Sequence, residues 1–279
     1  MRVGYSTNSI GDVDPLVAVP LLAEIGYRSL AITLDRHTLD PFAANRAERL
    51  AAWRAALDVA GMARVVETGA RHLLDPRVKH EPTLVSAAAA DRARRTDFLV
   101  RAVDVACDLD AACVSLWSGV VHDAADEATC WERLTSGLAP VVAHAAARGV
   151  ALGFEPEPGM FVDTLALADE LFERMGRPDT LRLTIDLGHL ECMGERPADL
   201  LPGAGRIVNV HVDDMLACRH EHLPLGTGDV EFPALLAALE SAGYRGGLHV
   251  ELPRQAHRWL ATARESFAFL APLLRNPPS

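Results

Sequence analysis

Eight short runs rich in aliphatic and β-branched residues alternate along the chain with longer stretches of helical periodicity. That alternation restricts the fold more than any other feature. Strand-then-helix units joined in series need parallel strands with helical crossovers, and eight such units close a (β/α)8 barrel. The strand segments read as Arg2–Ser6, Ser29–Leu34, Ala63–Glu67, Ala112–Trp117, Val150–Glu155, Leu181–Asp186, Ile207–Asp213 and Gly247–Glu251. Between them, Leu50, Trp53, Leu57 and Ala60 share one face of a helix, as do Leu260, Ala263, Phe267, Leu270 and Leu274. Asp14-Pro15 and Phe232-Pro233 mark helix starts, and Gly26, Gly61, Gly149 and Gly243 mark stops. Pro20 falls inside the first helical pattern and predicts a kink.

No Gly/Ser- or Pro-rich linker breaks the alternation, so residues 1–275 read as one α/β domain, with 276–279 as a frayed C-terminal tail. Thr68–Pro82 and Asp214–Val230 are the longest irregular stretches, a length that points to function. Hydrophobic residues make up 49% of the 279 and charged ones 23%, enough to fill a core. No run of about 18 apolar residues is available for a membrane span. The N-terminus lacks the pattern of a secretory leader. Five cysteines, none in CxxC spacing, argue against a disulfide framework and for a cytoplasmic protein. A net charge of −11 and the absence of any basic run disfavour nucleic acid as a partner.

Barrel chemistry sits at the C-terminal ends of the strands. There the fifth to eighth strands end in Glu155, Asp186, His211 and Glu251. One acid at a strand end is usually a solvated cap. Three carboxylates and an imidazole converging on one rim would repel and desolvate one another without a cation. The expectation is one divalent ion held by Glu155, Asp186, His211 and Glu251. Three oxygens and a nitrogen suit Mn²⁺, Mg²⁺, Co²⁺ or Zn²⁺.

These four residues, with the Glu155-Pro156 pair, Asp186-x-x-His189 and His211-x-Asp213, resemble the metal quartet of the xylose isomerase-like superfamily. Its members include ketose 3-epimerases, hydroxypyruvate isomerase and inosose dehydratase, and the likeness covers essentially the whole chain. The resemblance implies one divalent ion on the quartet and a substrate-hydroxyl contact at His189. Endonuclease IV shares the barrel and is similar at Glu155, Asp186, His189, His211 and Glu251. It adds further histidines and an aspartate that hold three zincs.

Other polar residues near the rim are candidates for holding a small polyhydroxy carbonyl substrate: Glu157, Asp213, His222, Arg71, His72 and Trp117, the last as an apolar wall against a sugar face. Glu67, Lys79 and His80 share the third loop with Arg71 and His72. The alternative for Glu157 is a helix-start acid, a description that suits Asp163 better. For His220-Glu221-His222 the choice is between an exposed polar loop and a pocket role, including a second metal. His37 and His122 read as exposed, and His249 and His144 as structural core histidines.

The constellation supports proton transfer next to a carbonyl. A Lewis-acidic ion stabilises the developing enediolate while Glu155 and Glu251 act as acid and base. Proton return to the opposite face of the same carbon gives an epimer, and a proton moved to the next carbon gives an isomer. Loss of a β-hydroxyl gives dehydration. A sugar or cyclitol isomerase or epimerase is therefore expected. A dehydratase on the same site is the alternative, and an endonuclease IV-like phosphodiesterase is disfavoured by the acidic balance. Barrels of this kind often form homodimers.

Overall fold

The structure, a computed structural model, describes residues 1–275. The tail 276–279 lies outside the described residues. Eight parallel strands close a barrel: β1 (Arg2–Ser6), β2 (Ser29–Thr33), β3 (Ala63–Glu67), β4 (Cys113–Leu116), β5 (Ala151–Phe154), β6 (Leu181–Asp186), β7 (Ile207–Val212) and β10 (Gly247–Val250). Around the ring the order is β1-β10-β7-β6-β5-β4-β3-β2, so β10 closes on β1 through Arg2 opposite Gly247. Every strand lies within a residue or two of its sequence-read position, because each carries a run of residues buried between the barrel interior and the helical shell.

The helices are α1 (Pro15–Ile25), α2 (Arg46–Ala60), α3 (Ala89–Leu109), α4 (Glu127–Arg148), α5 (Leu165–Arg174), α6 (Leu187–Met193), α7 (Phe232–Ser241) and α8 (Trp259–Arg275). Asp14 caps α1 by accepting a hydrogen bond from the Leu16 amide at 2.9 Å, with Pro15 at the first helical position. Gly61 and Gly149 end α2 and α4 in the left-handed conformation that glycine adopts freely. Pro20 does not end α1. It lies on the solvent side, where the Leu16 carbonyl it leaves unpaired can reach water.

One departure from the sequence reading matters for function. The stretch after β7 is not irregular throughout. It contains an antiparallel hairpin, β8 (Asp214–Leu216) and β9 (Arg219–Leu223). The hairpin is tied down by the Asp214 carboxylate, which accepts hydrogen bonds from the amides of Gly226, Thr227, Gly228, Met215 and Val230 at 2.8–3.1 Å. The sequence did not show it because its pairing is supplied by this one buried side chain and not by apolar alternation.

All five cysteines are free. Among the described residues, no helix is long and apolar enough to cross a membrane.

Candidate active site

Strand register builds the site. Asp186 on β6 pairs opposite His211 on β7, and His211 pairs opposite His249 on β10, which places Glu251 one step above on the same rim. Glu155 follows the end of β5, its amide bonded to the Leu116 carbonyl at 2.8 Å. His211 Nδ1 is 3.0 Å from Glu155 Oε1 and 3.2 Å from Glu251 Oε2. Asp186 caps α6 with Oδ1, which accepts from the His189 amide at 3.0 Å. Its Oδ2 is buried without a hydrogen-bond partner. Ligand atoms of Glu155, Asp186 and His211 lie within 4.8 Å of one another. The four residues expected at the rim thus converge.

The donor set fits a divalent cation. Two carboxylates and one imidazole are buried together, with the half-buried Glu251 beside them, and one carboxylate oxygen is left unpaired, which is the chemistry of an oxygen-rich metal centre. The electrostatics of the bare site agree. Burial works against a charged His211, yet Glu155, Glu251 and Glu67 outweigh it and hold the imidazolium pKa well above its usual value. Burial also opposes charge on Asp186, but the surrounding histidines keep that carboxyl well below the ordinary range. Glu251 is pushed up to about 7, chiefly by burial, with Glu67 and Glu155 adding to it against the pull of His211. Glu157, above the centre, is pushed up to about 8 by burial and by Glu155.

Sequence reasoning placed Glu67 among the loop residues. The structure gives it a more specific position. Its Oε1 meets His211 Nε2 at 2.6 Å, and its Oε2 accepts from Ser6 at 2.8 Å and Thr33 at 3.0 Å. Asn8 carried no readable signal. It follows β1 and donates from Nδ2 to Glu251 Oε1 at 2.6 Å.

The cavity over these residues measures about 440 Å³, a size suited to a small ligand. Glu157, His189, His222 and Trp117 line it. Trp117 is held from behind by the buried Arg95, whose guanidinium lies 4.3 Å from the ring centroid. Three candidates sit elsewhere. His72 is exposed and does not line the cavity; Ala70 and Arg71 before it both take left-handed backbone angles. Arg71 does not line the cavity. It donates to the Asn8 carbonyl at 2.5 Å and to Asn8 Oδ1 at 2.9 and 2.6 Å. Asp213 is fully buried beneath the wall, against His222. Lys79, His80 and His220 also line the cavity.

His37 and His122 are exposed, as expected. His249 is fully buried between Ser29 and Asn209, each 2.8 Å away. His144 is not a core residue. It is half-buried on α4 and reaches Asp104 on α3 at 2.9 Å, because the two helices pack side by side.

Comparison with known proteins places the chain in context. A family model described as xylose isomerase-like TIM barrel matches residues 19–273. SgbU of Escherichia coli (strain K12), provisionally an L-ribulose-5-phosphate 3-epimerase, is 26% identical over 200 residues, covering 65% of this chain and 69% of its own length. Inosose dehydratase of Lacticaseibacillus casei is 29% identical over 139 residues, covering 43% of this chain and 46% of its own length. Among solved structures, the IolI protein with a bound zinc atom superposes with a TM-score of 0.79 at 14% identity, over 100% of both chains. That similarity speaks for the fold alone.

Proposed function

The chain belongs to the xylose isomerase-like TIM barrel family, and we propose that it is a divalent-metal-dependent isomerase or epimerase of a small polyhydroxy ketone. The observation that carries the reading is the placement of two glutamates against one imidazole nitrogen: Glu155 at 3.0 Å and Glu251 at 3.2 Å from His211 Nδ1. They come from β5 and β10, which are separated by two strands around the ring. A substrate carbon held above His211 therefore meets a carboxylate from each side.

Glu155, Asp186, His211 and Glu251 would hold the cation. When bound it would polarise the substrate carbonyl and stabilise the negative charge that develops as a neighbouring C–H bond breaks. The protein does the rest. Glu251, steadied by Asn8, takes the proton from carbon, and Glu155 lies on the facing side to return one. His189 lies 3.7 Å from Glu155 and faces a substrate hydroxyl. Trp117 covers the apolar face of the carbon chain. The relatives named as a ketose-phosphate epimerase and as an inosose dehydratase support this substrate class and a carbonyl-adjacent proton as the common first step.

The test is solvent exchange. The metal-loaded enzyme is incubated with free and 5-phosphorylated ketoses in deuterated water. Deuterium entering carbon next to the carbonyl is the expected result. Label at an inverted carbon assigns an epimerase, label at C1 or C2 an isomerase, and a product lacking water assigns a lyase. Turnover without solvent label rejects the proton-transfer mechanism.

A further inference from the structure

We propose that Cys192 and Cys218 form a reversible disulfide bond that clamps the β8–β9 hairpin onto α6. The pairing begins at a helix end, where the last carbonyls have no partner within the helix. α6 stops at Met193, and the amides of Gly194 and Glu195 turn back to the carbonyls of Glu191 and Leu190. The Cys192 carbonyl is taken instead by the Cys218 amide, at 3.1 Å, from the turn between β8 and β9. Backbone bond lengths then hold the two Cα atoms within about 7 Å of one another. A disulfide spans Cα separations of about 4.4–6.8 Å. Cys107, Cys113 and Cys130 lie in α3, β4 and α4, outside this contact.

The two thiols are unequal, which gives each a role. Cys218 is exposed at the tip of the hairpin, and Cys192 is buried. Burial pushes the Cys192 thiol up, and the charge of Cys218 nearby adds to the effect. Cys218 is therefore the sulfur that an oxidant meets, and Cys192 the one that completes the bond. Cys218 also has a φ of 60°, the left-handed position of a tight turn that usually falls to Gly or Asn. The turn thus carries a thiol where backbone geometry alone would favour a different residue.

The oxidant is a small disulfide such as oxidised glutathione. The Cys218 thiolate attacks one of its sulfurs, the glutathione S–S bond breaks, and one glutathione thiolate leaves. Cys192 then attacks the Cys218 sulfur of the mixed disulfide. A Cys192–Cys218 bond forms, the second glutathione leaves, and the Cys192 proton goes to the departing thiolate. Two protein thiols are oxidised by two electrons, and one glutathione disulfide is reduced to two thiols. The new bond joins two parts of the cavity wall, because α6 carries His189 and the hairpin carries His220 and His222. The loop it closes, from 192 to 218, contains the whole of β7 with His211. Closing such a loop restricts the unfolded chain and so favours the fold.

The test is peptide mapping of the native full chain after prolonged incubation with oxidised glutathione, with the remaining thiols alkylated before tryptic digestion. Peptides 183–206 and 207–219 carry Cys192 and Cys218. They are expected as one linked species that dithiothreitol separates. Oxidation is expected to raise Tm by about 5 °C, and reduction to reverse the rise. Cys218→Ser, an exposed substitution, is expected to lose both the link and the rise. The proposal is overturned if both peptides are recovered alkylated. It is equally overturned if Cys218 ends as a stable mixed disulfide with glutathione, or bonded to another cysteine of this chain or of a second copy.

Discussion

His211 Nε2 lies 2.6 Å from Glu67 Oε1, while the other nitrogen of the same ring faces Glu155. A carboxylate on the far nitrogen fixes the tautomer and aims the near lone pair at a cation. Burial raises the Glu67 pKa, but the charge of His211 outweighs it and holds the carboxyl below its usual range, so it is an acceptor at neutral pH. Glu67→Gln keeps the shape and removes the charge. Metal affinity is expected to fall by about 10–100-fold with the fold intact, as measured by chelator competition alongside circular dichroism.

Arg71 tests positioning against substrate contact. It reaches Glu251 only through Asn8, which donates to Glu251 at 2.6 Å. Arg71→Ala is therefore expected to lower kcat by roughly tenfold, the effect of a slightly misplaced base, with KM almost unchanged. A rise in KM with kcat preserved would put Arg71 on the substrate instead.

Much of this was legible from residue order. The eight strands and the convergence of Glu155, Asp186, His211 and Glu251 follow from period and from the rule that strand ends share one rim. What stayed hidden depends on contacts between distant residues. Glu67 and His211 are 144 positions apart, and Asn8 and Glu251 are 243 apart. Neither pairing leaves a local pattern. His72 and Arg71 looked equivalent in sequence, yet Arg71 bonds to Asn8 while His72 is exposed. The hairpin of β8 and β9 escaped because its strands are short, lack apolar alternation and are anchored by Asp214.

Glu251→Gln retains one oxygen, for the cation or for Asn8 but not for both, and cannot accept a proton from carbon. Turnover is expected to fall at least about 100-fold while thermal stability stays near wild type. Near-normal activity would move the base elsewhere, with Glu157, which lines the same cavity, the first replacement.

His249 predicts how acid weakens the metal-free fold. Its ring is fully buried, held by Ser29 and Asn209, and so close to Gly4 that a Cβ there would overlap it. Burial depresses its pKa to about 4. The unfolded chain keeps a value near 6.5, so between those values the unfolded state takes up a proton that the folded state refuses. Stability is full above about pH 6.5 and declines as the pH falls toward 4. Of the loss between pH 7 and pH 5, about 2 kcal/mol is expected from this ring. His249→Gln has no titration in that window, and urea unfolding at the two pH values should show a correspondingly smaller difference.

Cation binding at the quartet should be visible as thermal stabilisation, and its pH dependence identifies the competitor. A ligand at about 100 times its Kd stabilises by about 2.7 kcal/mol, or about 5 °C for a domain of this size. In the bare protein, Glu155, Glu251 and Glu67 keep His211 protonated well above its usual pKa. A cation must displace that proton to reach Nδ1, so affinity is expected to rise about tenfold for each pH unit between 7 and 8, and more steeply below 7, where Glu251 is protonated as well. Scanning fluorimetry with Mn²⁺ at a series of pH values measures it. Asp186→Asn, which takes a charge from the buried cluster and leaves its helix cap in place, should abolish most of the stabilisation at every pH. A stabilisation independent of pH, or unchanged in Asp186→Asn, would mean that the ion binds away from His211.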